Sequence, residues 1–153
     1  MKISELLNIK SIELNLDVDS KNELIEKLIN LAENQGNIID KEEVKNEVFE
    51  RESIMSTGVG KGVALPHAKT NAITEVTIAL ATLKEPIDYD SLDKNPINIA
   101  TLLLGMESNV GLHLRLLSKI SRLMNNDSFR SQLLELKTPE KVMELISKYE
   151  ERD

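Results

Sequence analysis

Hydrophobic positions along this chain change period several times, and each change marks an element. Ile12, Leu14 and Leu16 alternate with polar neighbours, which predicts a short strand buried on one face. From Ser20 the period becomes helical: Leu24, Ile25, Leu28 and Leu31 share one stripe, Ser20 with Glu23 reads as a capping box, and Gly36 supplies a C-terminal stop. The spacing predicts a helix over 20–35. Asp40 with Glu43 repeats the start signal, and Val44, Val48 and Phe49 give the stripe of a second helix ending near Ser53.

Further on, Val76, Ile78 and Leu80 alternate again, and Ile97 to Leu104 is apolar enough for a central strand covered on both faces. Pro86 and Pro96 bracket the segment that connects them. After Asn109, the residues Leu112, Leu116, Leu117, Ile120, Leu123 and Met124 form a strong helical stripe, and Phe129 to Leu136 forms a shorter one. Thr138-Pro139-Glu140 opens a last helix with Thr as cap and Pro at the first helical position. The charged stretch Tyr149 to Asp153 reads as a frayed, solvated tail. No repeat, low-complexity stretch or linker interrupts the alternation of strands and helices, so the expectation is one α/β domain over 1–153.

Composition narrows the function. Hydrophobic residues make up 41% of the chain and aromatics 3%, so the core must be aliphatic and stacking platforms for single-stranded nucleic acid are missing. A net charge of -7 opposes the counterion release that drives nucleic-acid binding, and nucleic acid is excluded as an expected partner. With no cysteine there is neither a disulfide framework nor a thiolate metal site; this fits a reducing compartment, and the cytoplasm is the expected location. Met1 to Lys10 lacks a secretory pattern, and no apolar run nears the ~20 residues of a membrane span. Direct membrane insertion is therefore not expected, and any membrane association would come through a partner.

Candidate chemistry is concentrated between Arg51 and Lys69. Gly58, Gly60 and Gly62 fall within five residues and lead through Val63-Ala64-Leu65 into Pro66-His67. For a phosphoryl cargo each part has a use: Gly58 and Gly60 would let backbone amides approach an anion, Ser56 and Thr57 offer hydroxyls, and Arg51 offers a permanently charged planar fork. His67 supplies the nucleophile, because an imidazole of pKa ~6.5 keeps a lone pair at neutral pH. A phosphorylated imidazole is reactive enough to pass the group on, which makes a carrier. The glycines fit neither the P-loop nor the dinucleotide fingerprint, and no Gly-x-Ser-x-Gly elbow or His-Glu-x-x-His pair exists. Two histidines without cysteine make a poor zinc set, and neither a metal nor a cofactor is expected. The acidic residues, scattered along helices, read as solvated faces. His113, the second imidazole, shares a helix face with Leu116, Leu117 and Ile120; it is either a satisfied inward histidine or a partner for an anion near the helix start.

Arg51-Glu52 followed by Ser56-Thr57-Gly58-Val59-Gly60-Lys61-Gly62-Val63-Ala64-Leu65-Pro66-His67 resembles the active-site signature of enzyme IIA, fructose/mannitol class, of the bacterial phosphoenolpyruvate-dependent sugar phosphotransferase system. His113 through Leu123 looks like that family's other histidine-bearing helix, and the likeness runs over essentially the whole chain. It implies a mixed sheet with helices on both faces. It also implies that His67 takes a phosphoryl group from the phosphohistidine of HPr and gives it to an enzyme IIB domain of a membrane sugar transporter, with Arg51 and His113 neutralising and hydrogen-bonding the phosphate. Members of the family are often fused to other transport domains, so a chain of this length is expected to act as a separate subunit or a fragment. An alternative within the resemblance is a nitrogen-related regulatory enzyme IIA, whose phosphorylation state controls partner binding; Ala68-Lys69 after the histidine leans toward the fructose-like branch.

Overall fold

A computed structural model describes residues 1–152, and these form six helices and six strands. In chain order they are α1 (Ile3–Leu6), β1 (Leu7–Leu16), α2 (Lys21–Glu33), α3 (Lys41–Ile54), β2 (Gly58–Gly60), β3 (Val63–Ala64), β4 (His67–Thr70), β5 (Thr77–Ile87), β6 (Ile97–Met106), α4 (Val110–Met124), α5 (Asp127–Glu135) and α6 (Pro139–Glu150). The sheet runs β1-β5-β6-β3-β2, with β4 also paired to β6. β1 is parallel to β5, β5 antiparallel to β6, and β3 and β4 parallel to β6, so the sheet is mixed. One apolar cluster packs α2 and α3 on one face, and a second packs α1, α4, α5 and α6 on the other. The expected single α/β architecture with helices on both faces is what the chain forms.

Three caps fall where the sequence places them, at Ser20, Asp40 and Thr138, and the structure adds Asn109 and Asn126. Each accepts a backbone N–H three residues on, which satisfies a donor that the first helical turn leaves free. The box at Ser20 closes one residue early, since Glu23 Oε1 accepts from Asp19 N at 2.9 Å. Gly36 adopts φ +79, the left-handed stop expected of it. Residues 3–6 form a helix that periodicity misses, because one turn is too short to show a stripe.

Three expectations need correction. The glycine segment, whose composition alone reads as a loop, is paired: β2 and β3 form a tight hairpin turning through Lys61 (φ 59) and Gly62 (φ 79). Pro86 lies within β5, not in a connection; it sits exposed where the register with β6 shifts, a place where a missing N–H costs little. The tail begins later than read. Tyr149 is buried edge-on against Phe129 at 5.3 Å, and the Glu150 carboxylate accepts the N–H groups of Ile3 and Ser4 at 2.6 and 3.0 Å. Asp153 lies outside the described residues.

One irregularity places the site. Leu65-Pro66 interrupts the strand beside β6, dividing it into β3, which pairs with Ile99 and Ala100, and β4, which pairs with Leu103 to Met106. Proline has no N–H to give the ladder. The strand therefore restarts at His67, with the Pro66 carbonyl still accepting from Leu103 N at 3.1 Å. α3 packs over β4, and α4 over β6.

Candidate active site

His67 opens onto a cleft of about 310 Å³ bordered by Glu47, Glu50, Arg51 and Ile54 of α3, Ala68 and Lys69 of β4, and His113, Leu114 and Leu117 of α4. The cleft forms because β4 lies at the sheet edge, where helices from opposite faces approach each other. The three residues on which the sequence reading places the chemistry, Arg51, His67 and His113, come together here. Their separation in sequence is bridged by β4 and α3 on one side and by β6 and α4 on the other.

The half-buried His67 ring has its Nδ1 2.8 Å from the Leu65 carbonyl oxygen. A carbonyl only accepts, so Nδ1 carries the proton and Nε2 keeps its lone pair. Pro66 makes this possible by turning the chain so that a carbonyl two residues back faces the ring. Burial lowers the His67 pKa below its ordinary 6.5; the Leu65 hydrogen bond opposes the shift, and the nearby positive charges of Arg51 and Lys69 add to it. The ring is neutral at pH 7 in the tautomer suited to attack through Nε2.

His113 is 3% exposed, and its ring centre lies 5.6 Å from that of His67 at an interplanar angle of 46°. Burial, then His67 and Lys69, push its pKa down to about 4. Its Nδ1 has no hydrogen-bond partner among the described residues. The ring is turned inward, as one of the two sequence expectations has it, and it also borders the cleft beside His67. Gly105 of β6 makes its seat: a Cβ there would stand 2.1 Å from His113 Nδ1, so only glycine lets the ring lie down on the strand.

Arg51, in the last turn of α3, borders the cleft and donates from Nη1 to the Met55 carbonyl at 2.9 Å. That bond caps an otherwise free carbonyl at the helix end and fixes the guanidinium close to His67.

Ser56, Thr57, Gly58 and Gly60 are not brought to the cleft. Ser56 Oγ donates to the Tyr89 carbonyl at 3.1 Å and accepts from Gly58 N at 3.1 Å. Thr57 is 3% exposed, with both its N–H and its hydroxyl bound to the Glu52 carboxylate. Gly58 is packed so tightly that a Cβ would meet Ser91 Oγ at 2.5 Å, and Gly60 lines a different cavity with Val63, Leu65 and Ser121. The dense glycines build a hairpin, and these four residues, expected to cradle phosphate, lie apart from the cleft that His67 opens onto.

Four residues escaped the sequence reading. Lys69 borders the cleft as a second cation, whereas in sequence it marks only the branch that follows the histidine. Gly105 looked like one glycine in an apolar strand. Glu52 and Tyr89 are joined across the fold, which periodicity cannot reveal. Among the described residues no group of acidic, histidine or cysteine side chains could hold a metal ion, and no helix is long and apolar enough to cross a membrane.

Comparison with known proteins places the chain in a family. Residues 5–149 match the family described as "Phosphoenolpyruvate-dependent sugar phosphotransferase system, EIIA 2". The chain is 33% identical over 98% of its length to the fructose-specific EIIABC component of Bacillus subtilis, of which it spans 24%. It is 32% identical over 95% of its length to the fructose-specific EIIA component of Haloferax volcanii, of which it spans 94%. Among solved structures, the nitrogen regulatory protein IIA-Ntr of Neisseria meningitidis superposes with a TM-score of 0.88 at 32% identity, covering 94% of this chain and 98% of that one. This protein belongs to the EIIA type 2 family of phosphotransferase-system components.

Proposed function

We propose that His67 is the residue on which this chain carries phosphorus, that phospho-HPr is the donor, and that an enzyme IIB domain is the acceptor in sugar uptake of the fructose type. The observation that carries the reading is the Nδ1–H of His67 held by the Leu65 carbonyl, which leaves Nε2 free in a cleft shared with Arg51, Lys69 and His113. Nε2 attacks the phosphorus of the donor's phosphohistidine. The new N–P bond forms as the old one breaks, the donor imidazole leaves with the electron pair, and the proton stays on His67 Nδ1, donated to the Leu65 carbonyl throughout. The incoming group adds a charge of about -1.5 to -2. Arg51 and Lys69 balance it, and His113, whose pKa is lowered first by burial and then by the neighbouring charges, regains basicity beside a dianion and can donate a hydrogen bond to it. Transfer to enzyme IIB reverses these events on a new acceptor. The names of the Bacillus subtilis and Haloferax volcanii relatives support the fructose assignment, and the EIIABC name supports an enzyme IIB partner.

The likeness to IIA-Ntr favours a second reading, in which the same phosphohistidine governs binding to a regulated protein and no sugar moves. One experiment separates the two. The protein is labelled through phosphoenolpyruvate, enzyme I and HPr, then mixed with purified enzyme IIB domains of the fructose and mannitol classes. Transfer of label to one of them supports the transport role. No transfer, together with phosphorylation-dependent capture of another protein, supports regulation.

A further inference from the structure

Beneath the cleft lies a buried carboxylate to which the phosphoryl reading gives no task. Glu52, at the end of α3, is 6% exposed. Its Oε2 accepts from Thr57 N at 2.8 Å and pairs with Lys21 Nζ at 3.0 Å, while its Oε1 accepts from Thr57 Oγ1 at 2.5 Å and from the Tyr89 hydroxyl at 3.1 Å. Lys21 also sits 4.6 Å from the centre of the Tyr89 ring. The directions of acceptance on an ionised carboxylate number about four, and here all are used. Burial pushes the Tyr89 hydroxyl far above its usual range, so it remains a donor at any working pH. A solvated helix face has no such arrangement, so the reading of the acidic residues as solvent-facing fails at Glu52.

We propose that Glu52 is a positioning residue for the phosphoryl site: its carboxylate ties down the strap Met55–Thr57, and the Met55 carbonyl on that strap holds the Arg51 guanidinium at the cleft. The geometry supplies each link. Arg51 and Glu52 are adjacent on the last turn of α3, their side chains grip the two ends of the same strap, and the strap feeds directly into the hairpin that leads to His67. Without Glu52 the Thr57 N–H would be buried unpaired and its hydroxyl would keep only the Tyr89 hydroxyl at 3.1 Å, so the strap would shift to regain partners. Glu52 also acts on His67 through space, its negative charge raising the His67 pKa against the effect of burial. The role of Arg51 in phosphoryl transfer rests on the carrier reading above; the hold of Glu52 on the strap and its effect on His67 do not.

The test uses Glu52→Gln and Glu52→Asp in the full chain, with phosphoramidate as a small donor that needs no docking protein. Glutamine turns an N–H₂ toward donors and removes the charge; aspartate keeps the charge but is one methylene short of the strap. Labelling of His67 should slow about tenfold in both, the cost of losing a hydrogen bond to a charged group. The NMR titration of His67 should move to lower pH in Glu52→Gln and stay near wild type in Glu52→Asp. A purely structural role would lower Tm while leaving titration and labelling of the folded protein unchanged, and that result overturns the proposal. Should neither variant fold, Tyr89→Phe, which removes one donor and keeps the ring in the core, should slow labelling about threefold, and an unchanged rate there overturns it equally. Wild-type protein that takes no label would sink the carrier reading instead, while the titration still decides whether Glu52 acts on His67.

Discussion

His67 Nδ1 and the Leu65 carbonyl oxygen lie 2.8 Å apart, and this contact between residues two apart in sequence keeps the proton on Nδ1 and the lone pair on Nε2. The phosphoryl group is expected on Nε2. Phosphorylated protein should show the corresponding phosphoimidazole isomer by nitrogen–phosphorus NMR correlation; attachment at Nδ1 would mean that the Leu65 bond breaks before reaction.

Gly105→Ala tests the seat of His113. The added methyl would lie 2.1 Å from the ring nitrogen, and the strand beneath cannot retreat because Gly105 pairs with Lys69 of β4. Denaturant unfolding should show a loss of about 1–3 kcal/mol, the usual cost of overpacking, and the His113 ring resonances should shift. A variant of unchanged stability with unchanged His113 resonances would show that the packing is looser than the geometry implies.

Much of this architecture can be read from sequence alone, for reasons visible at particular residues. Ser20, Asp40 and Thr138 announce helix starts because capping is local chemistry, and Ile97 to Leu104 announces a central strand because a strand covered on both faces must be apolar throughout. The same local logic reaches Pro66-His67 and Arg51. It fails where a side chain's partner comes from elsewhere: Thr57 looks like a free hydroxyl until Glu52 and Tyr89 are placed around it, and Gly105 gains meaning only once α4 folds down on it. The glycine run misleads for a related reason. Glycine marks a tight turn as readily as an anion site, and only the hairpin pairing of Gly58 with Ala64 tells them apart.

Stability should depend on pH through His113. Its folded pKa of about 4 lies below the ordinary 6.5, so between these values the unfolded chain binds a proton that the folded one refuses. The contribution is fully present above pH 6.5 and is lost as pH falls toward 4, reaching on the order of 3 kcal/mol. Comparing wild type with His113→Gln by urea unfolding at pH 7 and pH 4.5 isolates it from the carboxylates. The variant should lose less stability on acidification; equal losses would show that His113 titrates normally.

Arg51→Lys keeps the charge and loses the fork that reaches the Met55 carbonyl while facing the cleft. Labelling should slow about tenfold, well beyond what an unchanged charge count suggests. His113→Ala should still accept phosphoryl but release it to enzyme IIB about tenfold more slowly, through loss of a hydrogen bond to a charged group. Quench-flow with radiolabelled donor measures both, and wild-type rates in either variant would remove that residue from the site.

The central claim is tested most directly by incubating the protein with radiolabelled phosphoenolpyruvate, enzyme I and HPr, in wild-type form and as His67→Ala. The account predicts one acid-labile phosphoryl group per wild-type chain and none on the variant. Label retained by folded His67→Ala, or absent from wild type, would contradict it.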